Sequence, residues 1–431
     1  MIERMIHRAG PIITKKREDR MKVHPNLSDE KYGQNLQSCH TFSVSLRNLF
    51  PQSLTFVLKW PIKGDQEMTM HRVFNFAAGP SQLPLPVLER AQKELLDYEG
   101  TGMSVMEMSH RSAAFSKIMA HTEQGVRDVM NIPDDYAVLF LAGGASSQFT
   151  MIPLNLLKEN RQADYAVTGH FAKLAYEEGN RYGQMHVSYD GSGNEYRHIP
   201  QQKELDIHPD ASYFHYCANN TIYGTEWHYV PETNGVPIVA DMSSDIASCP
   251  VDVSKFGLIY AGAQKNLAPA GVTLVIVRKD LAREPDRLTP VMYSYPREIA
   301  HDSMYNTPPC WQIYMLGLVM DWLKDQGGME EIGRRNQEKA NLLYGTLEQY
   351  PLFHLYAEKE SRSRMNVTFS TGDADLDARF IQGAAEHGLV NVKGHRLLGG
   401  MRASIYNAMD LDGVKALCQW IEQFASENRK G

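Results

Sequence analysis

The sequence is poor in cysteine, lacks any long uninterrupted apolar run, and contains neither internal repeats nor low-complexity tracts. Its five cysteines, Cys39, Cys217, Cys249, Cys310 and Cys418, are scattered and odd in number, with no CxxC or Cys/His ligand spacing. This argues against a disulfide framework and a cysteine-built zinc site, so a reducing, cytoplasmic setting is expected and no metal. No apolar stretch approaches the roughly 18 residues of a membrane span, so no membrane partner is expected. Positive charge is short as well: the net charge is −7, and because residues 1–70 are +4, the remainder carries −11. A body of that sign is a poor generic partner for nucleic acid. Any anion it binds must be captured by a local cluster.

The 431 residues leave room for one large domain and a smaller one. Residues 1–70 have no sustained period and mix Lys15-Lys16-Arg17 with polar residues; they are expected to be a poorly ordered or dispensable extension. From Val73 onward, helical and strand-like patterns alternate. Pro86 in a first turn, with Val87, Leu88, Ala91 and Leu95 on one face and Gly100 beyond the end, predicts a capped amphipathic helix. A second helix is expected over residues 113–130. Strand-like runs follow at 137–141, 213–217, 237–240, 257–261 and 272–277. Buried runs alternating with helices predict an α/β fold with a mainly parallel central sheet covered by helices on both faces. A long helix at 329–349, short strands near 365–370 and 402–405, and a last helix with Val414, Leu417, Cys418, Ile421 and Phe424 on one stripe read as a smaller α/β domain. The expected division is 71–84 as a segment packing on the small domain, 85–330 as the large domain, and 331–431 as the small one.

Three features carry chemistry. The run Phe140 to Phe149 is an apolar strand, a small-residue turn at Gly143-Gly144-Ala145-Ser146 and a helix start, a place where free backbone N–H groups can cradle a phosphate. A tight βα turn without a ligand would look the same. Asp241 ends the apolar run 237–240, where a carboxylate could hold a pyridine nitrogen protonated or simply cap the turn at Ser243 and Ser244. Lys265 lies between two buried strands among small residues, in Ala261-Gly262-Ala263-Gln264-Lys265-Asn266. Desolvation lowers a lysine's pKa, which an amine needs in order to form an imine near neutral pH. Phosphate turn, Asp and Lys in that order meet three demands of one cofactor, pyridoxal 5′-phosphate.

The chain from Val73 to its end resembles the phosphoserine aminotransferase family of fold-type-I, class-V enzymes. The residues that carry the resemblance are Phe74-Asn75-Phe76-Ala77-Ala78-Gly79-Pro80, Ser104 to Arg111, Ala261 to Asn266, Asn306-Thr307-Pro308-Pro309, Lys393-Gly394-His395-Arg396 and Gly399 to Asn407. The resemblance implies an aspartate-aminotransferase-like fold and the conversion of 3-phosphohydroxypyruvate and glutamate to phosphoserine and 2-oxoglutarate in serine biosynthesis. The phosphorylated four-carbon substrate of vitamin B6 synthesis is implied as a second one. Lys265 is implied as the catalytic lysine, which holds the cofactor and shuttles the proton. Asp241 is implied on the pyridinium nitrogen, Thr221 near the phenolic oxygen, and Ala145, Ser146 and Gln264 on the phosphate. Phe171 would stack on the ring, where many members carry tryptophan. Asn306 and Thr307 would reach the cofactor of the partner subunit in a homodimer. Arg402 is implied as the α-carboxylate clamp, with His110, Arg111, His395 and Arg396 gathered around the distal anion and Lys393 as a helper. Ser146 and Ser147 stand where some members have arginine and glycine, so the distal anion is expected to fall to His395, Arg396 and Arg111.

Two other readings stay open on the residues. A small-amino-acid or glyoxylate aminotransferase, or a cysteine desulfurase, shares the cofactor chemistry. A regulator that binds DNA through residues 1–70 and senses the cofactor is the rival from another class.

Overall fold

The computed structural model describes residues 72–285, 287 and 289–428, together with the strands 42–45 and 55–58. Those two strands, β1 (Phe42–Ser45) and β2 (Thr55–Leu58), pair antiparallel within a unit spanning Met1–His71. The rest of the N-terminal stretch, with the expectation that it is dispensable, lies outside the described residues.

Within Arg72–Gly431, β3 (Phe74–Asn75) leads to α1 (Leu85–Glu94) and α2 (Ala113–Met130). Helix α1 buries Val87 and Ala91 as expected but stops at Glu94 rather than running to Gly100. The reason is local: Asp97 accepts the Gly102 N–H at 2.7 Å and Tyr98 donates its N–H to Met103, so this stretch closes a loop of its own. Helix α2 has the predicted limits, set by the Ser112 side chain capping Phe115 N–H and by Asn131 in the left-handed region at φ 51°.

Then follow β4 (Tyr136–Leu141), α3 (Gly144–Leu156), β5 (Gln162–Val167), α4 (His170–Gly179), β6 (Gln184–Asp190), β7 (Phe214–Cys217), the short hairpin β8 (Asn219–Asn220) and β9 (Thr225–Glu226), β10 (Ile238–Asp241), β11 (Leu258–Gly262) and β12 (Thr273–Arg278). Seven of these form one sheet in the order β4-β12-β11-β10-β7-β5-β6, in which only β12 runs against the others. Five of the seven, β4, β7, β10, β11 and β12, match the apolar runs. β5 and β6 do not: Asp164, His186 and their polar neighbours break the hydrophobic pattern that marks the other strands.

The sheet is buried on both faces, which is why its central strands are apolar without alternation. Val138, Phe214, Ala240 and Ile259 point to one side with Phe115 and Ile118 of α2; Leu139, Tyr213, Val239 and Tyr260 point to the other with Phe149 of α3. After α5 (Tyr295–Ala300), α6 (Cys310–Asp325) and α7 (Gly328–Gln349) comes a three-stranded antiparallel sheet, β13 (His354–Leu355), β14 (Asn366–Ser370) and, further on, β16 (Met401–Ser404). Helix α8 (Ala374–Glu386), β15 (Leu389–Val390) and α9 (Leu411–Glu427) complete it. Here a separate cluster of buried side chains forms around Phe369, Phe380, Leu417, Ile421 and Phe424, and burying an aromatic such as Phe380 contributes on the order of 2–3 kcal/mol. Phe76 belongs to this cluster, and β3 pairs in parallel with β15.

Candidate active site

Five strands that share a direction deliver the predicted residues at their carboxyl ends, the side of an open α/β sheet where ligands sit. β4 runs into Gly143-Gly144-Ala145-Ser146, β5 into Gly169 and Phe171, β7 into the hairpin whose turn holds Thr221, β10 ends at Asp241, and β11 feeds Gln264 and Lys265.

Lys265 Nζ donates to Thr221 Oγ1 at 2.7 Å and stands 5.2 Å from the centre of the Phe171 ring. Burial pushes its pKa down; Asp241 and Cys217 oppose that fall and Arg402 adds to it. The main chain around the lysine is held from distant segments. The Ser81 hydroxyl donates to the Lys265 carbonyl, and Ser81 N–H donates to the Gln264 carbonyl at 3.0 Å. Asn266 donates to the Ile246 carbonyl at 2.7 Å and accepts Asn407 N–H at 3.0 Å. Gly79, at φ +146°, sits close against the lysine: a Cβ there would be strained by the backbone and would lie 3.2 Å from Lys265 Cγ, so the lysine stem would have to give.

Asp241 is 5% exposed and accepts both the N–H (2.9 Å) and the hydroxyl (2.6 Å) of Ser243 on Oδ1. The turn-capping role is therefore real, and Oδ2 carries neither bond. The phosphate-turn expectation places Ala145 and Ser146 in the first turn of α3, whose leading N–H groups have no partner within the helix. Gly143 at φ +100° and Gly144 at φ +71° make the turn; Ser147 folds back to the Gly144 carbonyl at 2.9 Å, while Ser146 is exposed.

Arg402, on β16, donates to the Thr221 carbonyl at 3.2 Å, so it and Lys265 meet on one residue. His395 follows in the turn between Val392 and Met401, and its pKa is lowered by burial and then by Arg402, His170 and Arg396. Arg402, His170 and Arg396 thus all lie near enough to act on its ring. Lys393 and Arg396 are exposed. His110 and Arg111, the other members expected around the distal anion, make no hydrogen bond or ion pair to Arg402, His395 or Arg396 among the described residues, contacts that basic groups would not form with one another. His110 Nε2 is buried without a partner and Arg111 is exposed. Both precede α2, on a segment that the sheet's carboxyl edge does not fix. Asn306 and Thr307 are exposed and border a cavity of about 210 Å³ with Ala142, Gly143, Met292 and Tyr293.

Sequence reasoning missed several members. His170 stands beside His395; Asp245 lies near Lys265, Asp241 and Glu226, with Oδ1 buried and unpartnered, and burial pushes its pKa well up. Glu226, 1% exposed, holds Arg364 through Oε1 and accepts its N–H at 2.7 Å. Asn366 links Asn219 (2.7 Å), Ser404 (2.9 Å) and Tyr406 (3.2 Å), and Tyr406 donates to the Ala78 carbonyl at 2.8 Å. These polar residues carry no local pattern; only the fold brings them together.

A cavity of about 720 Å³ opens at the other end of the strands, bordered by Arg161, Ser212, Pro237 and Arg278. Its lysine, Lys158, is tied to the Ala211 carbonyl at 3.1 Å. At Lys265, by contrast, a desolvated amine, the Asp241 carboxylate and the Arg402 guanidinium converge, the kind of perturbed cluster that marks a candidate site.

The residues fit pyridoxal phosphate: an aspartate oxygen free of the turn it caps, a lysine amine 5.2 Å from an aromatic ring, and a helix N-terminus opened by two left-handed glycines. Residues 73–417 match the aminotransferase class-V family. The chain is 52% identical over 354 residues to the phosphoserine aminotransferase of Laribacter hongkongensis, covering 82% of this chain and 98% of that one. It is similar to the solved phosphoserine aminotransferase of Bacillus circulans subsp. alkalophilus, with 43% identity and a TM-score of 0.82 over 83% of this chain and 99% of that one. It is also similar to the pyridoxal-phosphate-bound phosphoserine aminotransferase of Trichomonas vaginalis, at 35% identity and TM-score 0.78, over 81% of this chain and 100% of that one.

Proposed function

The chain belongs to the class-V aminotransferases, in the phosphoserine aminotransferase family, and from that premise we propose how its residues divide the work. Its reaction is transfer of the amino group of L-glutamate to 3-phosphohydroxypyruvate, giving O-phospho-L-serine and 2-oxoglutarate in serine biosynthesis, with pyridoxal 5′-phosphate as cofactor. The observation that carries the residue assignment is the convergence of Lys265 and Arg402 on Thr221.

When bound, the cofactor supplies an electron sink for the bond broken at the substrate's α-carbon. Lys265 anchors it and then, as a free amine, moves the proton; its lowered pKa keeps a neutral amine accessible. Thr221 holds Nζ in place. Asp241 would hold the ring nitrogen, Phe171 would stack on the ring, and the first turn of α3, through Ala145 and Ser146 with Gln264, would hold the phosphate. Arg402 grips the α-carboxylate, for which a guanidinium gives a two-point match. His395 and Arg396, joined by His170, take the distal carboxylate or phosphate. That cluster supplies positive charge in a chain whose body is negative, and it does so without an arginine at Ser146.

We assign Asn306 and Thr307 to a homodimer interface, reaching the partner's cofactor. In support, Met292 and Tyr293 border the same cavity and are 41% and 36% exposed. Residues 85–330 are read as the large domain and residues 331–431 as the small one, in keeping with their separate buried clusters. No described helix is long and apolar enough to cross a membrane, and a cytoplasmic location is proposed with Cys217, Cys249, Cys310 and Cys418 as free thiols.

The desulfurase alternative needs a reactive thiolate, but burial pushes the thiols of Cys217, Cys249 and Cys310 up. The regulator reading rested on residues 1–70, which lie largely outside the described residues. The test of the function is amino transfer from glutamate to phosphohydroxypyruvate, hydroxypyruvate and glyoxylate in parallel. A strong preference for the phosphorylated acceptor is expected; equal rates on all three overturn the assignment.

A further inference from the structure

Asp164 lies near the start of β5, 1% exposed, and among the described residues its ion-pair partners are two histidines, with no lysine or arginine in reach. A carboxylate taken out of water needs a cation beside it. His186 of β6 places Nδ1 3.2 Å from Asp164 Oδ1, and His208, in the loop before β7, places Nδ1 3.1 Å from the same oxygen. Asp164 Oδ2 accepts the His208 backbone N–H at 2.6 Å, so the carboxylate is locked with one oxygen presented to both rings.

The imidazole rings touch, with centroids 4.1 Å apart, and all three donor atoms lie within 4.8 Å of one another. Ligands held at about 2.0–2.1 Å around a tetrahedral ion stand roughly 3.3 Å apart, close to the two measured edges. A second feature points the same way. His186 turns its far nitrogen, Nε2, toward the exposed Asp206, whose Oδ2 at 3.6 Å is beyond hydrogen-bond range but on the side from which a carboxylate backs a metal-bound histidine. The two histidine side chains are 36% and 51% exposed, which leaves an entry path and room for water at the remaining position.

We propose that Asp164, His186 and His208 form a binding site for a first-row divalent transition-metal ion, with zinc the best match. One carboxylate oxygen and two imidazoles suit zinc, cobalt or nickel better than the harder calcium and magnesium. On binding, each ring gives up the Nδ1 proton it shares with the carboxylate, to solvent from an imidazolium or by moving the proton to Nε2 in a neutral ring, and Oδ1 and the two Nδ1 atoms become ligands. The ion would fasten β6, the outermost strand of the sheet, and the loop before β7 to β5. It lies at the opposite end of β5 from Gly169 and Phe171, so its effect falls on stability and not on turnover. No earlier sequence signal exists for it, because the three ligands are 22 residues apart at each step and share no motif.

The test titrates zinc chloride into untagged, chelator-stripped holoenzyme by calorimetry, with cobalt absorption as a second readout. One equivalent should bind, and zinc should raise the melting temperature. His186→Ala and His208→Ala should each weaken binding by at least about 100-fold and abolish the thermal shift, and Asp206→Asn should weaken it about 10-fold, while amino transfer is unchanged in all three. Because Asp164 is buried, the test rests on the more exposed histidines instead. Absence of zinc binding at submillimolar concentration overturns the proposal. Equally tight binding by the His186→Ala/His208→Ala double variant also overturns it, and assigns the ion to other ligands.

Discussion

Lys265 donates its amine proton to the hydroxyl of Thr221 at 2.7 Å, while the carbonyl of the same threonine accepts from Arg402 at 3.2 Å. Lys265 and Arg402, the proposed carboxylate clamp, are thus registered against each other through one residue. Thr221→Val keeps the shape and the carbonyl but removes the hydroxyl. A charge-assisted hydrogen bond of this kind is worth about 1.5–3 kcal/mol, so kcat should fall roughly 10- to 100-fold with little change in melting temperature. Steady-state kinetics beside a thermal melt checks this.

Arg402→Lys keeps the charge but loses the planar two-point match. Specificity constants for glutamate and for phosphoserine should fall together, by roughly 10- to 100-fold. His395→Ala and Arg396→Ala should instead penalise the phosphorylated substrate most. Comparing phosphoserine with an unphosphorylated amino donor in each variant separates the two roles; equal losses in the histidine variant would remove it from the distal-anion cluster.

His395 titrates below its ordinary value because of burial first and the charges of Arg402, His170 and Arg396 next. Both causes disfavour the imidazolium in the free enzyme. A bound phosphate favours the imidazolium, so binding takes up a proton and the pKa rises. Affinity for the phosphorylated substrate should weaken as pH climbs through the raised pKa of the complex. NMR titration of the His395 ring, with and without phosphoserine, measures the shift and its sign.

Glu226 is 1% exposed and its partner Arg364 has a side chain 22% exposed. Removing the arginine alone strands a buried carboxylate, and Arg364→Ala should destabilise by about 3–5 kcal/mol. Replacing both, as in Glu226→Gln with Arg364→Met, should recover much of that loss. Denaturant unfolding of the single and double variants distinguishes the two outcomes.

Gly79 occupies φ +146°, and a Cβ there would lie 3.2 Å from Lys265 Cγ. Gly79→Ala combines backbone strain with pressure on the lysine stem. Catalysis should drop more than stability does, which parallel kinetics and melts would register.

Much of the site is legible because Lys265, Asp241 and the Gly143-Gly144 turn each sit directly after an apolar strand, and strand ends are where an α/β sheet binds its ligands. Strands β5 and β6 were hidden by Asp164 and His186, polar side chains that pair with each other across the sheet edge. Gly79 and Ser81 close on Lys265 from almost two hundred residues away, and Glu226, Asp245 and Asn366 are ordinary polar residues until the fold buries them. Such contacts leave no periodicity behind. The roles of His110 and Arg111 come from the resemblance alone, because within one chain the segment before α2 leaves Arg111 exposed and His110 Nε2 without a partner.

The central claim is that Lys265 carries the cofactor and moves the proton. Borohydride reduction of the holoenzyme followed by peptide mass spectrometry should place the whole pyridoxyl label on Lys265, and Lys265→Ala should bind the cofactor, acquire no label and lose transamination. A label on another lysine, or substantial turnover by Lys265→Ala, would contradict the account.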